Sequence, residues 1–278
     1  MRIIEYKVYL KRELIPQGRR RLAAVIQAAG DVISIDDVVA VLSVERQDAS
    51  KLLSRWTKQG WLRRVTQGSY VPAALHSLES EHVLADPWVL VPALYDPAYI
   101  GGRTAAEHWD LTEQIFRDIV VMTSQPVREK QQERHGAQFT LYHVNAKNIF
   151  GTKAVWRARS KIMVSDVHRT ITDMLSDPLI GGGIQHVADC LDAYLNRSDR
   201  NDKTLIEYAD CLGNGAVFKR LGFLVERRSD TVSLVEACRA RLTKGNAKLD
   251  PTLPCKRLIS KWRLWVPQSW VPGGSHDR

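Results

Sequence analysis

The sequence predicts an α+β protein with two domains, a small N-terminal one over residues 1–80 and a larger mixed one over residues 81–278. Three observations predict this. The length of 278 residues is long for one domain and comfortable for two. Residues 31–72 show a helix, a tight turn, a second helix and a ribbon. After Asp166 the pattern changes from short β-branched and aromatic runs to helices, so we expect a small sheet followed by a helical bundle.

The stretch of residues 31–72 has the pattern of a winged helix-turn-helix. Ser34 and Asp37 are spaced as in a capping box, which starts a first helix. The second helix ends at Gly60, and its apolar residues recur at i, i+3, i+4 and i+7: Ala49, Leu52, Leu53 and Trp56. Glycine at position 68 indicates the turn of a two-stranded hairpin. This order of elements is typical of domains that read duplex DNA. Many winged-helix folds, however, serve only as protein-interaction modules.

Short polar and cationic side chains lie opposite the apolar stripe of the second helix. Such side chains suit a DNA groove, because Gln pairs with adenine, Lys or Arg with guanine, and Ser or Lys with phosphate. A Lys/Arg face is also often a solvated surface. The predicted DNA-binding residues are Arg19, Arg20, Arg21, Arg46, Gln47, Ser50, Lys51, Ser54, Arg55, Lys58, Arg63 and Arg64.

Two parts of this predicted interface leave a choice open. Arg63 and Arg64 are consecutive on one strand, so in a regular hairpin only one faces DNA. We expect that one to be Arg64, with Arg63 lying back over the helices or towards the second domain. A basic arm, residues 1–21 with Lys7, Lys11 and Arg12, either contacts phosphates or only solubilises the chain.

The charge is concentrated towards the N-terminus. The chain has 40 Lys and Arg against 31 Asp and Glu, a formal charge of +9. Residues 1–80 carry 13 against 8, and the other 198 residues carry 27 against 23. A nucleic-acid-binding head requires such an excess. No apolar run is long enough for a bilayer, and the first residues lack the apolar core of a signal peptide. We expect a cytoplasmic protein that associates with the nucleoid when bound to DNA.

Metal, redox and catalytic motifs are not indicated. The four cysteines are widely spaced without a C-x-x-C pair, and His186 with Asp189 reads as a surface pair. Glycines at 181–183 and 213–215 precede helices, where they either hold an anion or simply end one helix and start the next. Neither stretch matches a phosphate-binding fingerprint. We therefore predict no metal, no cofactor and no enzymatic activity.

Three stretches resemble the AbiEi antitoxin family of type IV toxin–antitoxin systems. They are YIGGRTAAEHWDLTEQ (99–114), HRTITDMLSDPLIGGGIQHVADCL (168–191) and LIEYADCLGNGAVFKRLGFLVE (205–226), and the likeness covers roughly residues 20–270. The resemblance implies a winged helix that represses its own operon at inverted repeats in the promoter. It also implies a larger domain that counteracts an AbiEii-like nucleotidyltransferase toxin without forming a stable complex with it. Members of this family are not enzymes and use no cofactor.

From the residue pattern alone, two classes of function fit a DNA-binding head joined to an α+β body. One is an autorepressor that is also an antitoxin. The other is a winged-helix transcription factor whose second domain senses a small molecule. An enzyme fused to a DNA-binding domain is the weakest alternative. A sensor requires a concave apolar pocket within residues 88–270.

Overall fold

A computed structural model describes residues 16–73, 86–157 and 159–271. They divide into two compact units, the first with residues 16–73, 159 and 160, the second with residues 86–157 and 161–271. The predicted boundary between residues 80 and 81 lies outside the described residues. So do Lys7, Lys11 and Arg12 of the predicted basic arm.

The first unit has the element order of a winged helix. Its elements are α1 (Gln17–Ala29), β1 (Ile33–Ser34), α2 (Ile35–Leu42), α3 (Arg46–Lys58), β2 (Leu62–Thr66) and β3 (Ser69–Pro72). The strands form an antiparallel sheet in the order β1-β3-β2. The predicted ribbon was two-stranded. The two residues of β1 add a third strand, in which Ile33 pairs with Tyr70.

Local signals in the sequence set the bounds of α2 and α3. The Ser34 hydroxyl accepts from the Asp37 amide at 3.1 Å, and the Asp37 carboxylate accepts from the Ser34 amide at 2.7 Å, which confirms the capping box. Ser43, with φ 51°, ends α2, and Gly60, with φ +73°, follows the last turn of α3. The sequence predicts a turn over residues 43–46, but Arg46 already begins α3, so the turn is one residue shorter.

The core of the first unit contains the predicted stripe of α3. Ala49, Leu53 and Trp56 are at most 1% exposed, and Leu52 is half-buried. They pack against α1, α2 and the sheet through Leu22, Val25, Ile33, Val38, Leu62 and Tyr70. This packing holds one side of α3 and leaves its other side to solvent.

The second unit begins with a sheet and continues with helices, as predicted. Its first part contains α4 (Leu90–Tyr95), β4 (Ala98–Ile100), α5 (Gly102–His108), β5 (Asp118–Thr123), β6 (Gln131–Arg134), β7 (Ala137–His143), β8 (Thr152–Arg157) and β9 (Ser160–Ser165). Its second part contains α6 (Val167–Ser176), α7 (Ile184–Leu195), α8 (Asp202–Leu212), α9 (Gly215–Val225) and α10 (Val232–Ala240). The chain then forms β10 (Ala247–Lys248), β11 (Arg257–Ile259) and β12 (Leu264–Val266). The sequence patterns did not indicate the short strands β4 and β6.

The described strands β4 to β9 form one mixed sheet in the order β6-β7-β5-β4-β9-β8. β5 is parallel to β7 and antiparallel to β4, and β4 is parallel to β9. α6 lies at the centre of the helical part: residues from Val167 to Leu175 are buried, apart from half-buried His168. A single apolar core extends from α6 through α7, α8, α9 and α10 to Trp262 and Leu264. Among the described helices, none is both long and apolar enough to span a membrane.

Candidate nucleic-acid interface

The outward side of α3 carries the polar and cationic residues that the sequence predicted. Gln47, Ser50, Lys51, Ser54, Arg55 and Lys58 are all exposed. All of these except Gln47 line one open depression in the surface. Gln59 lines it as well, and the sequence-based prediction missed this residue. The helical spacing could have predicted this position, because Gln59 lies four residues after Arg55 and therefore on the same face.

Two of the predicted cations on or beside this face are paired with carboxylates. Arg46 bonds to Asp36, and both side chains are largely exposed. The Lys51 Nζ lies 3.1 Å from an Asp48 carboxylate oxygen. Exposed pairs of this kind contribute little to stability, so a phosphate or base can displace them at small cost. Within the part of the chain that the structure describes, Arg55 and Lys58 make no ion pair. These two cations lie in the last turn of α3, where the helix dipole favours positive charge.

The three consecutive arginines lie in the first turns of α1 and are all exposed. The Arg19 guanidinium stacks over the Trp61 ring, 5.4 Å from its centroid. A helix N-terminus disfavours cations, by about 0.3–1 kcal/mol each at exposed positions. Within α1 this effect acts on Arg19 and Arg20 in the first turn, and the stacking of Arg19 on Trp61 opposes it.

The wing differs from the predicted regular hairpin. Arg63 pairs with Val71 and Arg64 with Tyr70, but the register shifts between Arg64 and Thr66. Both arginines are exposed, and the Arg64 Nε donates to the Thr66 carbonyl at 3.3 Å. The expectation that Arg63 lies back over the helices is wrong. The pairing is regular up to Arg64, so the two arginines point to opposite faces of the ribbon, and neither is covered.

In the second unit, the motifs at residues 99–114, 168–191 and 205–226 lie largely in the core. The Arg169 Nη2 donates to the Tyr99 hydroxyl at 2.9 Å, and its Nε donates to Asp173 at 2.9 Å. The Tyr99 hydroxyl in turn donates to Asp173 at 2.9 Å. All three side chains are buried, and the Arg169 guanidinium also lies 4.0 Å from the centroid of the Phe150 ring. Burial raises the pKa of Asp173 to about 6, although Arg169 and Tyr99 both lower it. This cluster joins β4 to α6 and shows no surface that a partner would contact.

A second buried cation from these motifs is held by main-chain carbonyls. The Arg220 guanidinium donates at 2.8–3.1 Å to the carbonyls of Leu175, Ser176, Lys248 and Leu249. Leu175 and Ser176 are at the C-terminal end of α6, where the helix dipole favours a cation. Arg220 therefore links the last turn of α6 to the chain before β11.

The glycine-rich stretches start helices whose ends are capped by side chains of the same chain. The Ile184 amide, at the start of α7, donates to Asp250 at 2.9 Å. The Asn214 side chain accepts from the Ala216 amide at 3.1 Å at the start of α9. These contacts favour the alternative in which the glycines only separate consecutive helices.

Histidine and cysteine residues of the second unit belong to the fold. His186 is buried, and its ring nitrogens contact the Gly181 carbonyl at 2.6 Å and the Thr112 hydroxyl at 2.9 Å. Its prediction as a surface pair with Asp189 is wrong. Cys190, Cys211, Cys238 and Cys255 are free thiols, the first and third of them buried. No group of three potential metal ligands occurs within residues 16–73, 86–157 and 159–271.

One cleft of the second unit lies between α7 and α9, where Leu191, Leu195, Leu224 and Trp270 line it. Its volume is about 230 Å³. Sites for small molecules have roughly 300–1,000 Å³ and a few convergent polar groups. The Arg228 guanidinium at this cleft already bonds to Asp192, Asn196 and Asp230. The cleft therefore gives no support to the sensor alternative.

No protein-family profile and no curated protein matches the chain. Among solved structures, the crystal structure of the RV2827C protein from Mycobacterium tuberculosis is similar, with a TM-score of 0.62. The match covers 91% of this chain and 92% of that chain at 12% sequence identity. At this identity the likeness shows the fold alone, and the fold is α+β in both proteins.

Proposed function

We propose that the first unit binds duplex DNA, with α3 in the major groove and the ribbon of β2 and β3 beside it. The observation that carries this proposal is the exposed face of α3, which combines Ser50, Lys51, Ser54 and Arg55 in one surface depression. Serine and lysine suit phosphates, and arginine suits guanine. An α-helix fits the width of the major groove, and the opposite side of α3 is fixed by the core of the unit.

The position of the charges supports an anionic partner of this shape. Arg55 and Lys58 are exposed on α3, and Arg63 and Arg64 are exposed on the wing. The wing cations extend the basic surface beyond the helix, as contacts to the DNA backbone on the flank of a groove require.

For the whole chain, we infer a repressor of its own operon that also acts as a type IV antitoxin. The support is the resemblance of residues 99–114, 168–191 and 205–226 to AbiEi proteins. One winged helix reads one half-site, so inverted repeats need two copies of the chain. The second unit is far larger than a repressor requires, and the resemblance assigns to it the relief of toxicity.

The first experiment measures binding to the promoter duplex by gel shift at two salt concentrations. Lys51→Ala and Arg55→Ala are each expected to cost about 1–3 kcal/mol if they contact bases. The matched control is Lys203→Ala with Arg227→Ala, which removes two exposed cations from the second unit. The control should bind like the wild type. Unchanged binding by the Lys51/Arg55 double variant would rule out α3 as the recognition helix.

The second experiment separates repression from toxin neutralisation in cells. The Lys51/Arg55 double variant should fail to repress a promoter fusion, yet should still rescue cells that express an AbiEii-like toxin from an independent promoter. Co-purification of the toxin is not expected. Loss of rescue in this variant would show that neutralisation works only through repression, and the assignment of two tasks would be abandoned.

A further inference from the structure

The positive charge of residues 81–278 is concentrated in one short segment. Residues 145–165 contain five Lys and Arg and no Asp or Glu. The rest of residues 81–278 carries 22 Lys and Arg against 23 Asp and Glu. The whole basic excess of residues 81–278 therefore comes from the segment that leads into and forms β8 and β9.

This segment lies at an edge of the mixed sheet. β8 is the last strand in the order of the described strands, so alternate main-chain N–H and C=O groups of β8 point away from the sheet. Lys147, Lys153 and Lys161 are exposed around this edge. Among the described residues, Lys147 and Lys161 make no ion pair, and the Lys153 Nζ lies over the Trp109 ring at 5.6 Å. Arg157 is half-buried between Trp88 and Asp86, so it contributes less to the exposed charge.

An exposed tryptophan accompanies these lysines. Trp156 of β8 is 65% exposed, whereas the other seven tryptophans are buried or half-buried. Its ring makes no aromatic contact with the described residues. Ala154, next to it on the same side of the strand, is also exposed and too small to cover the indole. A flat aromatic surface thus stands uncovered on β8, whereas Lys153, three residues away, points to the opposite side of the strand.

We propose that this edge of β8 binds single-stranded RNA, with Trp156 stacked on an unpaired base and the exposed Lys147 and Lys161 near the phosphates. The charge selects a polyanion, and it disfavours a second copy of this chain, which would oppose like charges. The exposed indole selects unstacked bases, which a closed duplex does not offer. Bases splayed out of single-stranded RNA loops and ends are commonly bound by stacking on aromatic side chains. The outward main-chain groups of β8 supply hydrogen bonds to such bases. This activity is independent of the DNA binding proposed for the first unit.

The test uses the full-length protein and a labelled, unstructured RNA of 12 nucleotides, followed by fluorescence anisotropy. Trp156→Ala should weaken binding by about 5- to 150-fold, the range for loss of one stacked base. Trp156→Phe should retain most of the affinity, because phenylalanine still presents a ring. Lys161→Ala should weaken binding and reduce its salt dependence. The matched controls are Ile115→Ala, which removes another exposed apolar side chain (85% exposed), and Lys203→Ala on α8. Both should bind RNA like the wild type.

Two further measurements distinguish the proposed RNA site from the DNA-binding surface of the first unit, and RNA from single-stranded DNA as the ligand. The Lys51/Arg55 double variant should bind RNA normally and duplex DNA poorly, so that failure of either proposal is distinguishable from failure of the other. Single-stranded DNA of the same sequence should bind more weakly than RNA, because only RNA offers a 2′-hydroxyl to the outward main-chain groups of β8. Equal RNA affinities of the wild type and Trp156→Ala would overturn the proposal, as would a preference for single-stranded DNA.

Discussion

The two units place their arginines differently. In the first unit, the arginines of α1, α3 and the wing are exposed, and no charged side chain is buried among its described residues. In the second unit, Arg169 and Arg220 are buried and hydrogen-bonded inside the fold. An arginine within a recognisable motif is therefore no evidence for ligand binding by itself. Exposure and available partners decide whether it binds a ligand or holds elements together.

The largest loss of stability should follow from adding a side chain at Gly222, where α9 packs closely against Trp262. A Cβ atom at Gly222 would overlap the six-membered ring of Trp262. Gly222→Ala would normally stabilise a helix by about 0.5–1 kcal/mol, but here we expect a loss of about 3 kcal/mol or more, because Trp262 is fully buried and cannot move away. Gly245→Ala is the control, since nothing lies within 4 Å of its Cβ position. Urea unfolding measures both variants, and equal stabilities would contradict the packing described for Trp262.

The next effect tests whether Arg220 is structural. Arg220→Lys keeps the charge but has three donors in place of a planar fork that contacts four carbonyls. We expect a loss of about 2–4 kcal/mol, because buried carbonyls lose their partners. Arg117→Lys, at an exposed position, should change stability by less than about 0.5 kcal/mol. An Arg220→Lys variant as stable as the wild type would place Arg220 among the dispensable cations, and the contrast between the units would weaken.

A third effect concerns the buried carboxylate of the second unit. The pKa of Asp173 is raised from 3.8 to about 6, so the folded state holds a proton there that the unfolded chain releases near pH 4. Its contribution to stability is fully present below pH 4 and is lost as the pH rises to about 6, by about 2–3 kcal/mol. The free energy of unfolding of the wild type minus that of Asp173→Asn should therefore fall over this range. Asp189→Asn, at an exposed carboxylate of α7, should leave the pH dependence unchanged.

The sequence predicted those parts of the fold that local chemistry determines. Ser34 with Asp37 and Gly60 set helix ends through adjacent backbone groups, and the apolar spacing of α3 placed its buried side correctly. The same spacing also predicted which side of α3 is polar and exposed. The pairing of β4 between β5 and β9 was not predictable, because strand order depends on contacts far apart in the chain. The burial of His186 was not predictable for the same reason, because its partner Thr112 lies 74 residues earlier in the chain.

The smallest effect tests the wing, where sequence and structure disagree. The ribbon is regular through Arg64, so Arg63 and Arg64 point to opposite faces, and both are exposed, so each is open to a phosphate on its own side of the ribbon. Arg63→Ala and Arg64→Ala should therefore each weaken promoter binding several-fold, and each should reduce the salt dependence by about one phosphate contact. The two affinities should agree within about twofold. Gel shifts at several salt concentrations measure both quantities, with Arg117→Ala as the control outside the first unit. If only Arg64→Ala weakens binding, then only one face of the wing contacts DNA, as the sequence predicted.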